Sequence, residues 1–135
     1  MQPGVIYESD RQFQVWEWSV GHSWLHLRSN PSASVSTRIE ISFKPAVLVC
    51  LAASLDGVVI TSEPRDALPA ALCNALHAPL GSADAVYSVR SGTALGWVVA
   101  GSAAGREDDE PYDAPLLFDG WAARPGVREL FSTSP

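Results

Sequence analysis

A chain of 135 residues, 47% hydrophobic and 18% charged, can bury one core but not two, and this composition excludes an intrinsically disordered polymer. Its net charge of −6 repels phosphate backbones, and its nine basic residues, eight of them arginine, form no cluster to offset that, so nucleic acid is excluded as a partner. The most apolar region is interrupted by Lys44 and Pro45 and closed by Asp56, short of the roughly 18 residues a membrane helix needs.

The stretch from Met1 to Arg11 carries Glu8 and Asp10 where a secretory leader would be basic and then apolar, so a cytoplasmic location is expected. Aromatic and β-branched residues from Phe13 to Arg28 predict two strands, 13–20 and 22–29, around a turn or bulge at Val20-Gly21-His22-Ser23. After a Ser/Pro-rich loop, Thr37, Ile39, Ile41 and Phe43 alternate with Arg38, Glu40 and Ser42, which predicts a strand with the apolar set inward and Arg38 and Glu40 in water. Proline has no donor, so Lys44-Pro45 should break that ladder before a more buried strand from Val47 to Leu51. Asp56-Gly57 predicts a turn followed by a short strand through Val58, Val59 and Ile60.

One helix is expected, Asp66 to His77, with Leu68, Leu72, Ala75 and Leu76 on one stripe, Asp66 as cap, Pro69 in the first turn and His77 meeting the negative end of the dipole. Strands at 85–90 and 95–101 flank a hairpin connection, Ser91-Gly92-Thr93. From Gly105 the pattern predicts an acidic loop over 105–114, with Glu107 to Glu110 in solvent. An irregular tail over 115–135 should follow, anchored by Leu116, Leu117, Phe118, Trp121 and Phe131 and frayed from Ser132 to Pro135. The expected fold is therefore a single α+β domain, 1–135, mostly β: a compact antiparallel sheet, sandwich or barrel of six to eight short strands with one main helix.

Two cysteines without C-x-x-C spacing, Cys50 and Cys73, read as reduced, packed thiols. The candidate binding residues lie on the second strand. There His22, Trp24, His26 and Arg28 should share a face opposite Leu25 and Leu27, offering stacking and hydrogen-bond donors to a planar or anionic group. Metal binding by His22 and His26 is not expected, because four residues of strand separate them by roughly 13 Å. No G-x-S-x-G elbow or phosphate-cradling glycine string occurs, so no catalytic residue and no cofactor is assigned. Three indoles within nine residues, Trp16, Trp18 and Trp24, predict that at least one is partly exposed.

The strings Trp18-x-Val20-Gly21-His22-x-x-Leu25-x-Leu27-Arg28-Ser29 and Arg38-Ile39-x-x-x-Phe43-Lys44 together resemble small uncharacterised bacterial proteins with an S-H-x-x-L-L-L-R-S and R-[IV]-x-x-x-F-K pattern. The resemblance spans about a fifth of the chain, with Gly21 in place of serine and His26 in place of leucine. It implies no chemistry. The arginine-rich, lysine-poor usage is that of a GC-rich bacterial genome.

These readings favour a non-enzymatic binding or protein-interaction module of a bacterial cell, with a bacterial protein or a small apolar or planar ligand as partner and a homodimer compatible with the composition. The competing expectation is a small β-barrel enzyme or carrier, cyclase- or isomerase-like, acting on an apolar metabolite through shape and a few polar contacts. A closed cavity would favour the second, and an exposed aromatic patch the first.

Overall fold

A computed structural model describes residues 4–118 and 125–133 of the chain. Seven strands dominate it: β1 (Val5–Ser19), β2 (Trp24–Ser29), β3 (Arg38–Cys50), β4 (Ser54–Glu63), β5 (Ala85–Ser91), β6 (Ala94–Asp108) and β7 (Arg128–Ser132). All pairs are antiparallel, in the order β3-β2-β1-β4-β5-β6-β7. Because β3 also pairs with β6, the sheet curls round into a ring of β1 to β6, and β7 lies along β6 beyond the end of β5. The expected mostly β, antiparallel architecture is the observed one. Among the described residues no helix is long and apolar enough to cross a membrane.

The inside of the ring is the core. Phe13 from β1, Leu25 and Leu27 from β2, Ile39, Ile41 and Phe43 from β3, Ile60 from β4 and Tyr87 and Val89 from β5 meet there, all buried. Phe131 of β7 stacks on Tyr7 of β1 with ring centroids 5.0 Å apart. It also packs where a side chain at Gly105 would stand, so glycine is what lets β7 close in.

Four expectations about elements are corrected. The helix over 66–77 is a 3-10 turn, Arg65–Ala67, and a single four-residue helix, α1 (Ala70–Cys73). Pro64 and Pro69 each precede one of these pieces, and after Asn74 the hydrogen bonds tighten to i→i+3, leaving His77 outside any helix and Asp66 without a capping bond. Leu68 is buried, and Leu72 and Leu76 pack partly buried against the cluster of Leu68, Val86 and Val99, so the apolar stripe anchors the segment without a helix. Asp56-Gly57 is a bulge inside β4, with Gly57 at φ +77°, where a side chain would be strained. Lys44-Pro45, a cis peptide, does not end β3, which runs on to Cys50 and shifts register between Ala46 and Leu48.

The acidic stretch is the fourth. Glu107 and Asp108 belong to β6, and Asp108 is buried, so only Asp109 and Glu110 are exposed. Arg38 and Glu40, expected in water, are both 0% exposed. Cys50 and Cys73 are free, as expected, yet both are exposed rather than packed. Of the tail anchors, Leu117 and Phe118 are buried. Trp121 lies outside the described residues, as do Ser134 and Pro135.

Candidate functional site

Antiparallel register puts opposed residues on one face of a sheet. Since Leu25 faces Phe43 and Leu27 faces Ile41 inside the ring, the pairs His26 with Ser42 and Arg28 with Glu40 must point outward. Trp24, His26 and Arg28 therefore share an outer face, as their spacing requires. His22 does not join them: it sits exposed in the turn before β2, its amide bonded to the Ser19 carbonyl.

This outer face is not an open platform, because the chain after β6 folds back across it as a strap over 109–118. Arg38 grips Asp108 with two bonds, Nε to Oδ1 at 2.7 Å and Nη2 to Oδ2 at 2.9 Å, and donates to the Ala114 and Pro115 carbonyls at 3.0 and 2.6 Å. Arg28 donates to Glu40 and, at 2.8 Å, to the Tyr112 carbonyl. The Leu117 amide donates to Glu40 at 3.1 Å, and Arg106 donates to the Leu117 carbonyl at 2.9 Å while lying 4.5 Å from the Phe118 ring. Buried charges are tolerated when they are paired and hydrogen-bonded, and here the strap's carbonyl groups supply the remaining partners. The Asp108 carboxylate raises the Arg38 pKa above the ordinary arginine value. Burial pushes the Glu40 carboxyl up, against the Arg28 guanidinium that pulls it down.

His26 is the exception within this network. It is 1% exposed, its ring is 4.5 Å edge-on from Trp24 and 6.0 Å from Phe118, and neither ring nitrogen has a hydrogen-bond partner. Burial, with Arg28 and Lys44 nearby, lowers its pKa to about 4, so the imidazole is neutral at physiological pH. Trp24 is half-buried, donates from Nε1 to Ser42 Oγ and lies under Lys44 Nζ at 4.3 Å. Arg28 carries Trp16 on its other side, 4.3 Å from the ring centroid.

Two parts of the surface stay open. One is an apolar cleft of about 310 Å³ lined by Val15, Trp18 and Leu25 from the β1–β2 hairpin and by Val47, Leu48 and Val49 of β3. Trp18 is 44% and Val47 52% exposed, with Trp16, Val20 and Val49 also open to solvent, which satisfies the expectation of an exposed indole. Both walls are strand edges. The β4 pairing with β1 stops at Gln14 opposite Ser54, leaving Glu17 to Ser19 paired to β2 alone, and the β2 pairing with β3 stops at Phe43, leaving Leu48 to Cys50 paired to β6 alone. The other open part is a polar groove of about 560 Å³ beside Arg28, between β1 and the loop after β2.

Sequence reasoning read 47–51 as a fully buried strand and so missed Val47 and Val49. An uninterrupted apolar run is the mark of burial on both faces, and nothing local says that one face lacks a cover. The alternation Trp16-x-Trp18-x-Val20 was the available signal. Among the described residues no group of three His, Cys, Asp or Glu side chains is placed to hold a metal.

Compared with protein-family models, curated proteins and solved structures, the chain matches none.

Proposed function

We propose that this chain is a non-catalytic binding module that takes up an extended apolar segment of a partner protein, laid between β1 and β3 as an added strand. The observation that carries the reading is that one apolar cleft is bounded by two strand edges, Glu17 to Ser19 and Leu48 to Cys50, each paired on one side only. An edge offers a row of backbone donors and acceptors, and strand addition uses them for affinity while side-chain pockets supply selectivity. Val15, Leu25 and Leu48 form the floor such a pocket needs, and Trp18 is the residue type that most often anchors an interface.

The ring interior bears on the competing reading. It is filled by Phe13, Ile41, Phe43, Tyr87 and their neighbours, which weighs against a carrier that encloses an apolar metabolite. Arginine-rich usage supports a bacterial partner, and the net charge of −6 disfavours a second copy as occupant. Selection of short randomised peptides against the intact chain tests the proposal. Alternating apolar sequences should be enriched, and their affinity should fall about tenfold or more in Trp18→Ala and in Val49→Lys. Enriched peptides indifferent to both substitutions, or sedimentation showing a dimer that buries Trp18, would overturn it.

A further inference from the structure

The outer face continues past the strap. Gln12 and Gln14 of β1, two residues apart, point to the same side, with Asp56 opposite Gln12 and Arg28 opposite Gln14. The strap covers the row from Arg28 onward, so the uncovered half forms the floor of the polar groove, which Asp10 and Asn30 complete from the sides. Its volume of about 560 Å³ lies within the range of small-molecule sites.

Two polar atoms at this groove have no partner: Nε of Arg28, a residue only 2% exposed, and Oδ1 of Asn30. One is a donor and the other an acceptor, and leaving such atoms buried and unpaired is costly. The remaining groups set what could answer them. Arg11, which also lines the groove, spends its guanidinium on Ser29, on Thr37 twice and on Glu107 at 4.0 Å. Arg28 spends its terminal nitrogens on Glu40 and the Tyr112 carbonyl. Asp10 and Asp56 are left as exposed acceptors, so an anion is repelled, whereas the amides of Gln12, Gln14 and Asn30 both donate and accept.

We infer that this groove is a second binding site, distinct from the apolar cleft, and that its ligand is a neutral polyhydroxylated compound of the sugar class. Each hydroxyl donates and accepts at once, which is what a floor of alternating carboxylate, amide and guanidinium groups asks for. Trp16 stacks on Arg28 at the groove's end, half open to solvent, and reports occupancy through its fluorescence.

The test is calorimetric and fluorescence titration of the full chain with neutral mono- and disaccharides in one arm, an insoluble neutral polysaccharide in a second, and inorganic phosphate in a third. Gln12→Ala and Asp56→Ala, both at exposed positions, should each weaken sugar binding about tenfold while leaving the thermal transition in place. Binding in the first arm assigns the site to free sugars, and retention in the second to a glycan chain. Phosphate binding in preference to sugars, sugar binding unchanged in both variants, or no sugar or polysaccharide bound at all would each overturn the inference.

Discussion

Along β3 the two sides of one strand are equally shut off from water, and by opposite means. Ile41 points into the ring and Glu40 points out of it, and each is 0% exposed. Inward, burial is of hydrocarbon against hydrocarbon. Outward, Arg28, Glu40, Arg38 and Asp108 are sealed by a strap whose contribution is largely its backbone: three carbonyls and one amide answer the charges. The inner face tolerates small changes of shape, because apolar contacts are many and individually weak. The outer face is held by few, strong and mutually dependent bonds, so losing one partner strands the others.

The largest expected effect follows from that contrast. Asp108→Ala leaves the Arg38 guanidinium buried without its carboxylate and should cost about 3–5 kcal/mol in chemical denaturation. Asp109→Ala, one residue on, removes only a 3.5 Å contact to Arg128 at the surface and should change stability by less than about 0.5 kcal/mol. Equal effects at the two positions would break the distinction between buried network and solvated loop. On the inner face, Ile41→Ala should cost about 2–5 kcal/mol by opening a cavity.

His26 sharpens the comparison, since it occupies the polar face without joining its bonds. In the unfolded chain it binds a proton with a pKa near the ordinary 6.5, and in the fold only near about 4. The unfolded state therefore takes up a proton first as pH falls, and this residue's share of stability is full above pH 6.5 and lost on the way to pH 4, a drop of about 3 kcal/mol. Denaturation curves across that window should show the drop in the parent and lack this component in His26→Leu. At neutral pH the same variant should be about 1 kcal/mol more stable, because it removes two unsatisfied nitrogens from between Trp24 and Phe118. A less stable leucine variant would mean that the imidazole has partners the geometry does not give it.

What the sequence makes legible divides along the same line. Alternation at period two locates Ile39, Ile41 and Phe43 in the core, and the glycine at Ser91-Gly92-Thr93, at φ +60°, marks the β5–β6 hairpin. Period says which residues share a face and nothing about what covers that face, so Arg38 and Glu40 look like surface until the strap is in view. Trp24, His26 and Arg28 are correctly placed on one side for the same reason, and their burial is missed for the same reason. The overextended helix has a different cause: Leu68, Leu72 and Leu76 fit a helical stripe, yet Pro64 and Pro69 remove donors where the turns would propagate. The cleft at Trp18 and Val49 was illegible because it arises where two strands outrun their neighbours, a property of pairing at long range.

Amide hydrogen exchange on the intact chain, with and without a selected alternating apolar peptide, addresses the central claim most directly. If a partner segment adds as a strand between β1 and β3, the amides along the open edges at 17–19 and 48–50 should slow, while those of β5 stay as they were. Unchanged exchange at both edges beside a saturated peptide, or protection confined to the strap at 109–118, would contradict it.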